Sequence, residues 1–238
     1  MDWRLEVESP EERKRICSDV AGLEPWYQSF KLADWLEISG DHDSEVVLAG
    51  LDRLGFPTDF SGQRVLDVGC NAGHYSMVAK ARGAREVIGV EFDPRFVRQA
   101  RYVSHLLGLD IKFIPDDVHN VGPEFGTFDS IICTGLIYHM PDPARVFAKL
   151  SAVCTGTIYV ETEFLLEPEL TAMARFIEGA YKDDLNNWWI HGPECLEGMV
   201  RASGFRTADF RGFFLEPRGE FSPEGIPRGG RGLLIGKK

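Results

Sequence analysis

The chain lacks the features that mark several common classes of protein. It has no Cys-x-x-Cys pair, and its five cysteines, Cys17, Cys70, Cys133, Cys154 and Cys195, are odd in number and far apart. That argues against both a disulfide framework and a zinc site, and the histidines show no metal-ligand spacing either. Basic residues are scarce, 26 Lys and Arg against 37 Asp and Glu, for a formal charge of −11. Such a balance gives no undirected attraction to a phosphate backbone, so nucleic acid is disfavoured as a partner, although a local basic patch is not excluded. No apolar run approaches the roughly 20 residues of a membrane-spanning helix, and the opening Met1-Asp-Trp-Arg-Leu-Glu-Val-Glu8 is too charged for a signal peptide. The expectation is a cytoplasmic enzyme or binding protein with no membrane partner.

What is present is an α/β pattern. At 238 residues and 44% hydrophobic content, the chain suffices for one such domain with additions. From Arg64 to about Glu163, apolar strands alternate with amphipathic helices. Strands are expected at Arg64–Val68, Val87–Val90, Ile111–Ile114, Asp129–Thr134 and Thr157–Val160, which predicts a doubly wound, mostly parallel sheet. Asp93-Pro94 and Asp142-Pro143 each read as an N-cap followed by a first-turn proline, opening helices to Leu107 and Val153. Ahead of this core, Ser9-Pro10-Glu11-Glu12 opens a helix toward Val20, and Asp43-Ser44 caps another ending at Gly55. After it, the pattern predicts a helical insertion at about 164–190, a helix near Glu194–Ser203, a strand over Arg206–Leu215, a Pro/Gly-rich loop to Gly230 and a last strand over Gly232–Gly236. The expected organisation is therefore an N-terminal helical and aromatic cap, 1–43, followed by a single α/β domain, 44–238.

The most informative stretch is Arg64-Val-Leu-Asp-Val-Gly-Cys-Asn-Ala-Gly73, a buried strand running into a turn and then a helix. Open α/β sheets hold nucleotide-like ligands at such a place. Asn71 stands between Gly69 and Gly73, and the middle glycine that brings backbone against a pyrophosphate is missing, so a cofactor without a diphosphate fits better. Asp67 offers a carboxylate to an ammonium group and Gly69 a close backbone approach. Glu91 ends the next strand as an acceptor for a ribose diol, with Phe92 as an apolar face for a base. Asp117 and Val118 follow the third strand, where a carboxylate suits an adenine amino group. Together these point to S-adenosylmethionine. Past the fourth strand, Tyr138 suits orientation of cofactor or substrate, and His139 is the candidate general base. Trp26 and Tyr27 either pin the N-terminal arm or cap a substrate; Trp188 and Trp189 either line a pocket or pack the insertion on the sheet.

The Asp67–Gly73 motif, the strand order and the last antiparallel strand resemble class I S-adenosylmethionine-dependent methyltransferases over about Ser44–Lys238. A narrower resemblance, to the carboxymethyltransferases of the tRNA wobble uridine, is carried by five ordered segments. These are Gly135-Leu-Ile-Tyr-His139, Val160-Glu-Thr162, Asn187-Trp-Trp-Ile190, Leu196-Glu-Gly-Met-Val-Arg-Ala-Ser-Gly-Phe205 and Arg231-Gly-Leu-Leu-Ile-Gly-Lys237. That resemblance implies Tyr138 and Arg231 as partners of the extra carboxylate of carboxy-S-adenosylmethionine. The family's third partner, a lysine, is absent, since the chain reads Pro25-Trp26-Tyr27-Gln28 there. The expectation is thus S-adenosylmethionine rather than its carboxylated form, and methyl transfer to a small-molecule acceptor, most simply a hydroxyl, rather than to tRNA. A nicotinamide-dependent oxidoreductase and a non-catalytic cofactor-binding module are the rival readings.

Overall fold

The computed structural model describes residues 3–178, 185–215 and 229–238. The chain opens with α1 (Pro10–Ala21), whose N-cap Ser9 accepts from the Glu12 N–H. A two-stranded antiparallel ribbon follows, β1 (Phe30–Ala33) and β2 (Leu36–Ile38), which the sequence pattern did not announce. Helix α2 (Ser44–Leu54) starts at the Asp43 cap, which accepts from the Val46 N–H, and stops where Gly55 takes a left-handed φ of 102°.

The α/β core then runs β3 (Arg64–Val68), α3 (His74–Ala81), β4 (Glu86–Glu91), α4 (Pro94–Leu106), β5 (Lys112–Pro115), β6 (Phe128–Thr134), α5 (Pro143–Val153) and β7 (Cys154–Leu165). All five strands expected from the sequence are present, and β7 is longer than expected because it carries on through Glu163 to Leu165. Two short strands, β8 (Ala174–Phe176) and β9 (Trp189–His191), precede α6 (Pro193–Ala202), β10 (Thr207–Leu215) and β11 (Gly229–Lys237). The main strand order is β10-β11-β7-β6-β3-β4-β5. Strands β3 to β7 pair in parallel, while β11 runs antiparallel to both β7 and β10.

Strand residues alternate between two helical layers because side chains in a strand point to opposite faces. Val65, Val87, Ile132 and Leu233 pack with residues of α2, α3 and α4 and with Trp26 and Phe30 of the arm. Their neighbours Leu66, Ile88, Ile131 and Leu234 pack with α5 and α6 on the other face. The doubly wound architecture is thus as the sequence implied.

The expected helical insertion is corrected. Among the described residues of 164–190, the chain forms the end of β7, one 3-10 turn at Pro168–Leu170, and the β8–β9 pair. Backbone pairing to β7 at Phe164↔His191 ties this segment to the sheet, and that long-range pairing outweighs the local preference of its Glu, Ala and Met for helix. Residues 179–184, and the expected Pro/Gly-rich loop at 216–228, lie outside the described residues.

Candidate active site

Strand β3 lies between β4 and β6, so the chain crosses from one side of the sheet to the other beside it. In an open α/β sheet the crevice past the carboxyl ends of such strands is where ligands bind. A cavity of about 1050 Å³ lies here, walled by the ends of β3 to β7, by β11 and by the arm.

The turn after β3 is held to β4. Gly69 and Cys70 donate their N–H groups to the Val90 carbonyl, at 2.8 and 3.1 Å. Asn71 donates to Glu91 Oε2 at 2.8 Å, and Asp93 donates to Glu91 Oε1 at 2.9 Å. Gly69 sits at φ +67°, and a Cβ there would come within 3.0 Å of Leu136. Glycine is therefore required both by conformation and by space. Asn71 takes φ 51°, which short amide side chains tolerate, and its Oδ1 accepts from the Ala72 N–H. Burial raises the pKa of Glu91, opposed by the two backbone N–H groups.

Asp67 is fully buried behind this turn. Its Oδ2 accepts from the Ser76 hydroxyl at 2.6 Å, while Oδ1 has no hydrogen-bond partner. Burial pushes its pKa up to about 7, against the Ser76 bonds. A buried carboxyl oxygen left unpaired is costly, and a cationic ligand group nearby would relieve that cost.

At the far end of the cavity, Arg231 donates from Nε and Nη2 to the two oxygens of Glu161, both at 2.6 Å. This is a bidentate, charge-assisted pair. The Gly135 N–H adds a bond to Glu161 Oε2 at 3.0 Å, and Arg231 Nη1 reaches the Tyr138 hydroxyl at 3.5 Å. Burial alone would lower the Arg231 pKa, but Glu161 and Tyr138 outweigh it and hold the guanidinium firmly charged. Tyr27 stacks on His42 with ring centroids 5.3 Å apart. Burial, with Arg231 adding, pushes His42 down to about 4, so its ring is neutral at ordinary pH. His139 Nδ1 lies 3.1 Å from the Asn186 carbonyl. A carbonyl only accepts, so Nδ1 carries the proton and Nε2 is the basic nitrogen of the neutral ring.

Of the residues singled out by sequence, Tyr27, Gly69, Asn71, Glu91, Phe92, Asp117, Val118, Tyr138, His139 and Arg231 line this cavity. Phe92 is 75% exposed beside Glu91, an unusual position for phenylalanine in the absence of a ligand face. Four others lie elsewhere. Asp67 is set behind the turn. Gly73, at φ +84°, is the N-cap of α3, and a Cβ there would meet Phe113 at 2.8 Å, so it serves the fold. Trp26 is buried in the core and donates its indole N–H to the Val20 carbonyl at 3.1 Å, which corrects its expected substrate role: it pins the arm. Trp189 donates to the Pro141 carbonyl at 3.2 Å and stacks on His191, which likewise places it in packing of the insertion. Gln28, His42, Tyr75, Glu163, Asn186 and Asn187 also line the cavity. Gln28 and His42 arrive through the bridge Gln28↔His42 and the bond from the His42 N–H to the Tyr27 carbonyl at 2.7 Å, contacts that leave no periodic trace in sequence.

A family profile described as "Methyltransferase domain" matches residues 65–156. A tRNA U34 carboxymethyltransferase of Campylobacter hominis is 34% identical over 110 residues, covering 45% of this chain and 38% of the relative. That of Pseudomonas syringae pv. syringae is 26% identical over 265 aligned positions, covering 99% of this chain and 81% of the relative. The chain spans only part of such relatives: 38% of the Campylobacter hominis enzyme, and 62% and 60% of those of Idiomarina loihiensis and Methylococcus capsulatus. Among solved structures, the N-terminal domain of EvdMO1 in the presence of SAH and D-fucose superposes with a TM-score of 0.74 at 16% identity, covering 95% of this chain and 97% of that one. Residues 65–156 thus carry a methyltransferase domain, and the sheet order is that of the Rossmann-like fold seen in S-adenosylmethionine-dependent methyltransferases, the class that this chain resembles. Within that class, the chain resembles the tRNA U34 carboxymethyltransferases. No helix among the described residues is long and apolar enough to cross a membrane.

Proposed function

We propose that this chain uses S-adenosylmethionine to methylate a small-molecule acceptor, most simply at a hydroxyl. The observation that carries the choice of methyl over carboxymethyl is the charge of the cavity. Six carboxylates line it, Glu91, Asp93, Asp116, Asp117, Glu161 and Glu163, and among the described lining residues Arg231 is the sole Lys or Arg. Arg231 is already engaged by both oxygens of Glu161. Such a wall suits a ligand bearing sulfonium and ammonium charges. An added carboxylate would have to compete with Glu161 for one guanidinium, at the cost of a partly uncompensated buried charge.

The residues fit the cofactor's parts. Glu91, fixed by two backbone N–H groups, accepts from a diol, Phe92 covers a base, and the buried Asp67 carboxyl behind the turn adds to the acidic surroundings that suit the cofactor's positive groups. When bound, S-adenosylmethionine supplies an electrophilic methyl group that needs little further activation. The protein's own task is then positioning and proton removal. His139 Nε2 takes the acceptor's proton, while its Nδ1–H is held by Asn186. Tyr27, Gln28 and His42 place the N-terminal arm over the same cavity, in keeping with a cap at 1–43. All five cysteines are free, in keeping with a reducing, cytoplasmic setting.

A second reading, carboxymethyl transfer to the wobble uridine of tRNA, is favoured by the relatives' names and by the Arg231–Tyr138 contact. Calorimetry with S-adenosylmethionine and its carboxylated form separates the two, followed by a mass-spectrometric transfer screen over hydroxylated metabolites and unmodified bulk tRNA. Binding of plain S-adenosylmethionine at least as tight, with transfer to a metabolite, is the expected result. A tenfold preference for the carboxylated form, or modification of tRNA, overturns it.

A further inference from the structure

His119 sits in the 3-10 turn Val118–Asn120, just beyond Asp117 on the cavity wall. Its Nδ1 is 2.7 Å from Asp117 Oδ1, and its Nε2 is 2.8 Å from Asp142 Oδ1. Ionised carboxylates only accept, so both ring nitrogens must donate, and an imidazole with two N–H groups is the imidazolium. Asp142 is the residue expected to cap α5, yet it makes no side-chain cap bond. Its Oδ1 faces His119 instead, and its Oδ2 lies 3.7 Å from Arg145 of α5. A good capping residue diverted from its helix marks a contact that competes with the cap.

The two carboxylates belong to different segments, each of which contributes lining residues to the cavity. Asp117 follows β5, whereas Asp142 closes the segment that carries Tyr138, His139 and Met140, which also line the cavity. We infer that His119 is a positioning residue which, as the imidazolium, ties the Asp117 turn to the Tyr138–Asp142 segment, so that filling of the adenosyl end of the cavity is linked to one proton. The inference rests on the reading that an adenosyl cofactor occupies this cavity.

The charged groups around the ring agree with this. Asp117 and Asp142 face it, Arg145 bears on Asp142 from α5, and the neighbouring Asp116 is occupied by the Asn120 amide at 2.7 Å. The Asp142 bond raises the His119 pKa, burial opposes it, and Asp117 adds to the rise. Burial alone would raise Asp117, but the backbone and ring bonds of His119 outweigh it, and its pKa is lowered. A histidine raised by its partners keeps the tie at low pH and loses it as pH rises through its folded pKa.

The test uses 5′-methylthioadenosine, a neutral nucleoside that carries the adenosyl half without the cofactor's amino group. Calorimetric affinity of the wild-type chain should fall about threefold or more between about pH 6 and about pH 8.5, the effect of a half-unit pKa difference by linkage. His119→Gln should bind more weakly at low pH and show no such fall. Asp142→Asn removes one of the two negative charges facing the ring and should move the midpoint to lower pH. In parallel, ¹⁵N resonances of the wild-type His119 ring should show both nitrogens protonated at low pH, with a midpoint above about 6.5. Identical pH dependence in wild type and His119→Gln, or a ring midpoint at or below that value, overturns the inference while leaving the proposed function in place. Failure of any adenosyl compound to bind at either pH overturns the reading beneath it and this inference with it.

Discussion

The backbone N–H of Asn71 donates to Glu91 Oε2 at 2.8 Å, and this bond joins the turn after β3 to the carboxylate that ends β4. The same carboxylate takes the Asp93 N–H on its other oxygen, so its orientation is set before any ligand arrives. Preorganisation of this kind reduces the ordering cost of binding.

Glu91→Gln keeps the shape but turns an NH₂ group toward one of those two N–H donors. Loss of a charged hydrogen bond costs on the order of 1.5–3 kcal/mol. The rise in melting temperature produced by saturating S-adenosylmethionine or its demethylated product should therefore shrink sharply in this variant. A ligand-induced rise equal to that of the wild type would show that no ribose sits here.

Asp67 supplies a pH test with a definite sign. Its folded pKa is pushed up to about 7, against about 3.9 in an unfolded chain. Between these values the native state holds a proton that the unfolded state has released, so ligand-free stability falls as pH rises through this window and stays reduced above it. Asp67→Asn carries no such penalty. Chemical denaturation should find the ligand-free variant more stable than wild type at about pH 8, on the order of 2–4 kcal/mol, with the advantage vanishing near pH 4. Its affinity for S-adenosylmethionine should fall at the same time. A wild type whose stability is flat from about pH 4 to pH 8 relative to the variant refutes the assignment.

By the resemblance to the tRNA enzymes, position 28 corresponds to a lysine of that family, and this chain has Gln28 there. Its Oε1 accepts from the His74 N–H at 3.1 Å, in the first turn of α3. A lysine there has no acceptor to offer and brings positive charge to the positive end of a helix dipole. Gln28→Lys should cost about 1–3 kcal/mol of stability while moving the affinity ratio toward carboxy-S-adenosylmethionine. Calorimetry with both compounds reads the ratio; no change in it would place position 28 outside the region that contacts the transferred group.

His139→Ala should lower kcat about 10²- to 10⁴-fold with KM little changed, the mark of a general base acting in the transition state. The rising limb of the wild-type pH–rate profile should vanish with it. Should the variant lose stability yet keep the kcat of its folded fraction, the ring only anchors Asn186.

Local sequence was enough to place the core elements, because the signals are local. Asp43 with Gly55, Asp93 with Pro94, and the alternation of Val65 with Leu66 or Ile131 with Ile132 act within a few residues of themselves. The turn from Asp67 to Gly73 was legible for the same reason: Gly69 and Gly73 take positive φ where there is little room for a Cβ, and few other residues meet that demand. Length and composition likewise bounded the class to one α/β domain with additions.

What the sequence left undetermined depends on contacts between distant segments. Whether Trp26 faces a substrate or the core is decided by how the arm docks on α4, where the Gln99 amide donates to the Leu23 and Pro25 carbonyls more than 70 residues earlier in the chain. The segment from Phe164 to His191 is drawn into strand pairing by β7, although its composition favours helix. Asp142 carries the signature of a cap, but a histidine 23 residues earlier in the chain claims its carboxylate. The same holds for Gln28, His42, Glu161 and Arg231, which share one cavity because β11 returns antiparallel beside β7 and the arm folds over its end. Residue type and spacing set the scaffold and the turn. Tertiary structure alone settled which polar groups meet, since a hydrogen bond between distant residues depends on positions that no local pattern encodes.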